Sequence, residues 1–337
     1  MKRLLITTLV TLILIEVFLR LAFKITKGYD FFTPRYSFYK EELQALKNVE
    51  NTDHNILILG GSAISNALPA KMGIQLEDSL KKVYPDVKVT DFGMPGRNSR
   101  DMALMCSLLS KEDISKVDLV IYYESINDSR YNCIDKADFK DNYSHSHWYE
   151  ELALMEARPS MNYYFSPFVL DLFLSRLKER TGAKKMLNDE LDVSPDLIDF
   201  GADIKTDKSF RNNLNQISEI FGHKIPIDLL EYHVYYPEKM MHKENLGFHK
   251  EGDYFTAEGP RTTSGAWGYP WNTIKAVKIH NSILKELANQ NDNINFYSTD
   301  SVLTQIHPEY FDVCHFTEKG GKKFAHFLSN MVSYNQF

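Results

Sequence analysis

Four aliphatic residues in a row, Ile56-Leu57-Ile58-Leu59, run straight into Gly60-Gly61-Ser62. A run without polar alternation, bounded by His54-Asn55 and two glycines, reads as a strand covered on both faces, the pattern of a parallel α/β sheet. Ligands in such sheets gather at the carboxyl ends of the strands. The glycines let the backbone turn tightly there and leave the Ser62 hydroxyl and N–H open to a reacting group. Ser62 is then a nucleophile or merely the cap of the following helix. Partners elsewhere in the chain decide between the two.

Further along, helical spacing over Pro69–Val83 is followed by a strand at Val87–Phe92, which enters the tight loop Gly93-Met94-Pro95-Gly96-Arg97. A helix at Ser99–Leu109 leads to the strand Val117–Tyr123, which ends in Glu124-Ser125-Ile126-Asn127-Asp128. Strands alternating with helices imply right-handed βαβ crossovers, which bring the strand ends to one edge. Residues 130–205 lose this rhythm and read as an inserted cap containing helices near Trp148–Met155 and Phe165–Leu177. A fourth strand falls within Ile225–Pro237 and a fifth at Ile294–Ser298, with the amphipathic helix Asn272–Asn289 between them. The long connection 238–271, rich in Gly, His and aromatics, is the candidate substrate loop.

The N-terminus is of a different kind. Leu4 to Ile15 carry no charge, and counted through Phe23 the apolar run reaches about 20 residues, the length that spans a hydrocarbon core. Glu16 and Arg20 stand i,i+4 on one face, where they can pair. No small-residue cleavage signal follows, so residues 1–27 read as an uncleaved signal anchor with the body outside the membrane, periplasmic or at the cell surface; cleavage would give a secreted protein. Residues 28–52, which include Glu41–Lys47, read as a linker or stalk, or a short amphipathic helix, between the membrane and the first strand, and 53–337 as the catalytic domain. A formal net charge of −6 and no basic cluster argue against nucleic acid as a partner. Cys106, Cys133 and Cys314 lie far apart, which signals neither a disulfide framework nor a zinc site.

A serine nucleophile needs a base, a group that orients the base, and donors aimed at the oxyanion. His315 supplies the base, and Asp312, three residues earlier, can turn back to accept from its imidazole. The Ser62 N–H, the Gly96 N–H and the Asn127 amide follow parallel strands at the same edge and can converge as donors. Arg97 offers a cation for an anionic substrate or a solvated helix-start charge. Trp267 and Trp271 offer stacking faces for a sugar or packing for their loop. The chemistry needs no metal or other cofactor.

Together these blocks resemble the SGNH hydrolase, or GDSL-type esterase, superfamily over Ile56 to Leu328. The family's Gly-Asp-Ser stands here as Gly60-Gly61-Ser62, with the middle Asp replaced. Its Asn/Asp-x-Gly-x-x-Gly loop is Asp91-Phe92-Gly93-Met94-Pro95-Gly96, which puts the oxyanion glycine on Gly96, with Gly93 as the alternative. Its Gly-x-Asn-Asp is Ser125-Ile126-Asn127-Asp128, without the glycine, and its Asp-x-x-His is met by Asp312-Val313-Cys314-His315. The resemblance implies a three-layer α/β/α sandwich, flavodoxin-like, with about five parallel strands. It also implies a serine esterase that hydrolyses or transfers an ester-linked acyl group, O-acetyl on an extracytoplasmic carbohydrate being the favoured substrate. Two alternatives stand beside it: a lipid or thioester acyl hydrolase at the membrane surface, and a catalytically lapsed partner of a membrane acyltransferase or glycan assembly complex.

Overall fold

The computed structural model describes residues 2–50, 54–187, 201–236, 238–241, 255–256, 259–260, 267–303, 309–310 and 312–335. In chain order these form α1 (Lys2–Lys27), α2 (Lys40–Lys47), β1 (His54–Gly60), α3 (Met72–Leu80), β2 (Val87–Gly93), α4 (Ser99–Ser107) and β3 (Leu119–Tyr123). Then come α5 (His147–Glu156), α6 (Ser166–Arg180), α7 (Asp207–Phe221), β4 (Ile227–Leu230), α8 (Pro270–Gln290), β5 (Ile294–Tyr297) and α9 (Glu318–Asn335). The chain divides into two compact units, Met1–Gln44 with Asn142–Asp189, and Ala45–Asp141 with Glu190–Phe337.

The second unit holds the sheet. All four strand pairings are parallel, in the order β2-β1-β3-β4-β5. The chain therefore starts in the interior of the sheet, steps outward to β2, then reverses to β3, which makes the carboxyl end of β1 the switch point where such sheets open a crevice. The strand sequences explain the burial. β1 is buried from Asn55 to Gly60 and β3 along its whole length, as runs without polar alternation require. Ile56, Ile58, Leu119 and Ile121 join Met72, Leu76 and Leu80 of α3 and Phe324 and Leu328 of α9 in one apolar cluster. On the other face Tyr122 meets Phe210 of α7, which packs on α4. Three layers result, as the sequence predicts.

Local chemistry sets the helix starts. Asn98 accepts from the Arg100 and Asp101 amides while Asp101 accepts from the Asn98 amide, a full capping box on α4. The Thr317 hydroxyl accepts from the Gly320 amide at 3.2 Å, the cap expected for α9. Pro270 occupies the first turn of α8, where its missing N–H costs nothing.

The first unit revises part of the sequence reading. Residues 28–52 are folded over most of their length instead of forming an open stalk: Pro34–Tyr39 form a 3-10 turn, Tyr29, Phe38 and Tyr39 are buried, and α2 is the short helix that the sequence offers as the alternative. Their partners are Phe23, Trp148, Phe165 and Phe168, ring to ring at 5.6–6.4 Å. Phe23 belongs to α1, but Trp148, Phe165 and Phe168 come from the insertion more than 100 residues away, so no local pattern announces their packing. Of the expected cap at 130–205, residues 142–187 belong to this unit. Most of the expected substrate loop at 238–271 lies outside the described residues.

Candidate active site

Each sequence block sits at a strand's carboxyl end. Gly60 closes β1, and a Cβ there would lie 2.4 Å from the Tyr123 carbonyl oxygen, so the strand pair tolerates only glycine. The turn that follows is stitched to its neighbour: Asp91 accepts from the Asn66 amide at 2.7 Å and from the Gly93 amide at 2.6 Å. Ser62 is buried at 8% exposure. His315 Nε2 stands 2.5 Å from Ser62 Oγ, and His315 Nδ1 bonds to Asp312 Oδ2. The other Asp312 oxygen accepts from the His315 amide at 2.7 Å and the Cys314 amide at 2.9 Å, which fixes the carboxylate in its loop. The three residues expected to work together are thus brought into one hydrogen-bonded line across 250 residues of sequence.

Cys314, beside the histidine, is buried, and burial pushes its thiol far above the ordinary range. It stays protonated, a structural thiol rather than a competing nucleophile.

The expected oxyanion donors are placed less simply. Gly96 adopts the left-handed conformation, φ +76°, with open space where a Cβ would stand. Asn127 is buried at the start of a helical turn, Ile126–Ser129, and its amide nitrogen donates to the Arg97 carbonyl at 2.8 Å and to Glu124 Oε2 at 3.3 Å. Its carbonyl oxygen accepts from Arg130 at 2.9 Å. Both N–H bonds of the amide are therefore engaged. Asp128 accepts from the Ser99 amide and hydroxyl at 2.9 and 2.6 Å and ties this loop to the start of α4.

The tentative substrate residues divide. The Arg97 guanidinium lies 3.6 Å from Asp101 and is a quarter exposed. Trp267 is buried with the apolar cluster of the sheet and does not present an open face. Trp271 is partly exposed and stacks on Tyr269 with centroids 4.9 Å apart.

Two residues that the sequence reading passed over matter here. Glu124 is fully buried, its Oε1 accepts from the Asn127 amide at 2.8 Å, and its Oε2 stands where a Cβ on Gly61 would need to be. Burial, reinforced by Asp128, pushes its carboxyl up to about 8, so it is mostly neutral at pH 7. Its one signal in the sequence is a carboxylate placed directly after a wholly apolar strand. His280 of α8 is likewise fully buried, between the Ser125 hydroxyl at 2.9 Å and the Thr206 hydroxyl at 3.0 Å, stacked on Phe210. Burial lowers it to about 3, so it is a neutral imidazole.

No family model and no curated protein sequence matches the chain. Among solved structures it is similar to a lipase/acylhydrolase from Enterococcus faecalis, at 12% identity over 84% of this chain and 97% of that one, with a TM-score of 0.43. It is similar to an acetylxylan esterase from Geobacillus stearothermophilus, at 13% identity over 85% and 97%, TM-score 0.42. A third similar structure is the C-terminal catalytic domain of a peptidoglycan O-acetyltransferase from Streptococcus pneumoniae, at 10% identity over 84% and 94%, TM-score 0.37. With likenesses this distant, the chemistry of the site is read from the chain's own residues.

Proposed function

We propose that the chain is a membrane-anchored serine esterase that hydrolyses or transfers an ester-linked acyl group, with Ser62 as nucleophile. The observation that carries this reading is the line Ser62–His315–Asp312 at the switch point of the sheet. His315 Nε2 takes the Ser62 proton as Oγ attacks the ester carbonyl, and Asp312 holds the ring and stabilises the imidazolium. The oxyanion rests on the Ser62 and Gly96 N–H groups, joined by Asn127 once its amide turns away from the Arg97 carbonyl. The imidazolium protonates the departing alcohol, and water or a sugar hydroxyl then resolves the acyl-enzyme. An O-acetyl group on an extracytoplasmic carbohydrate is the favoured substrate by analogy with anchored members of the superfamily that the four blocks resemble. Residues 1–27 serve as the anchor in this reading, since α1 is long and apolar enough to cross a membrane and its apolar side chains from Leu4 to Phe18 are exposed.

A second reading, a lapsed enzyme kept as a partner of a membrane acyltransferase, is favoured by one observation: the Asn127 amide is already spent on Arg97 and Glu124. Labelling of the full chain in detergent by a fluorophosphonate probe separates the two. Labelling that vanishes in Ser62→Ala and His315→Ala supports the esterase. A folded chain that does not label supports the partner.

A further inference from the structure

α6 has two apolar faces. Phe168 and Leu172, with Phe165 just before the helix, are buried within the first unit, while Leu170, Phe173, Leu174 and Leu177 are 42–62% exposed. The exposed set falls at i, i+3, i+4 and i+7, one continuous stripe on a helix. Tyr163 and Tyr164, 79% and 67% exposed, stand just before the helix, and Lys178 and Arg180 are exposed in the last turn. A contiguous exposed patch of this kind marks an interaction surface rather than ordinary surface scatter.

The position of α1 says what covers it. From Glu16 onward, α1 covers a single face, Glu16, Leu19, Arg20 and Phe23, and that face meets the start of α6. The Glu16 carboxylate accepts from the Phe165 and Ser166 amides at 2.6 and 2.9 Å, which supplies the missing cap of α6. Arg20 bonds Glu16 at 2.7 Å, the Asn162 carbonyl at 2.9 Å and the Phe31 carbonyl at 2.8 Å. The Phe23 ring meets Phe165 edge-on at 5.0 Å. An apolar span that begins at Leu4 and needs about 20 residues ends near Phe23. The residues of α1 that hold α6 are therefore those at the outer boundary of the hydrocarbon. These bonds gather at the first turn of α6.

We infer that α6 lies in the outer membrane–water interface, with Leu170, Phe173, Leu174 and Leu177 in the acyl chains, Tyr163 and Tyr164 at the ester level, and Lys178 and Arg180 toward anionic headgroups. The occupant of the exposed stripe is lipid, continuous with the lipid around α1. The inference rests on the anchor reading of α1 and is independent of what Ser62 does.

The test uses the full chain reconstituted into vesicles of zwitterionic and anionic phospholipid. The native cysteines are all buried, so one introduced thiol can carry an environment-sensitive fluorophore. Phe173→Cys and Leu177→Cys report on the stripe, Leu9→Cys on α1, and Glu41→Cys on an exposed polar position of the same unit. Lipids brominated on their acyl chains are expected to quench the labels at 173, 177 and 9 several-fold and to leave the label at 41 unchanged. Quenching at 9 but not at 173 and 177 overturns the inference, whether the stripe then proves open to aqueous iodide or shielded from it by protein. Absence of quenching at 9 overturns it by removing the anchor itself, with fluorophosphonate labelling of Ser62 unaffected.

Discussion

Gly61 and Glu124 are cut to fit one another: a Cβ on Gly61 would lie 2.0 Å from Glu124 Oε2 and 2.6 Å from Asn127 Nδ2. The residue beside the proposed nucleophile has no side chain because a carboxyl from the next strand's loop fills the space. Gly61→Ala must push that carboxyl away, at a cost of about 1–3 kcal/mol for an overpacked site. Fluorophosphonate labelling should slow at least tenfold, and thermal melting should register the lost stability. A variant that labels at the normal rate would show that the Glu124–Asn127 arrangement does not matter to Ser62.

Glu124 also gives stability a pH dependence. In the folded chain it keeps its proton up to about pH 8, whereas its ordinary value is 4.5. The folded state thus binds the extra proton between those values, and stability falls as pH rises through that window, by a few kcal/mol at most. Glu124→Gln, which mimics the neutral acid, should flatten the curve between pH 5 and 8. Urea unfolding at several pH values reads this directly.

His280 acts in the opposite direction. Held neutral to about pH 3 against an ordinary 6.5, it makes the unfolded state the better proton binder in acid. Stability contributed by the buried ring is complete above about pH 6.5 and is lost as pH falls toward 3. His280→Gln should be less stable at pH 7, for loss of the Ser125 and Thr206 contacts, yet show a shallower fall in acid.

Asp312→Asn keeps an oxygen for the two loop amides and turns an amide nitrogen toward the imidazole, which disfavours the tautomer that can accept from Ser62. Labelling should drop on the order of 10⁴-fold with melting little changed. An equal loss of folding would mean that Asp312 serves the loop rather than the base.

Asn127 separates the enzyme from the lapsed partner. If its amide turns to the oxyanion, Asn127→Ala should cost roughly 10²–10³ in turnover of an ester substrate. A loss confined to stability would leave it as a brace between Arg97, Glu124 and Arg130.

The sheet and the three-residue line were legible because their signals are local or chemically scarce. Unbroken aliphatic runs such as Ile56–Leu59 admit few readings, and Asp312 and His315 stand within one short loop. The packing of Tyr29 and Phe38 was not legible, since it depends on Phe165 and Phe168 arriving from a distant insertion. Glu124 and His280 escaped for a related reason. Each fits a residue elsewhere, Gly61 with no side chain and Ser125 with its hydroxyl, and such a fit shows only once both partners share a space.

The Glu16 carboxylate bears on where the chain can be shortened. A soluble version cut at Lys27, the natural choice if α1 were a simple tether, would remove the acceptor for the first amides of α6 together with Arg20 and Phe23. Trimming should stop before Glu16, which keeps the contacts of Glu16, Arg20 and Phe23 with the start of α6 while discarding the exposed apolar half of α1.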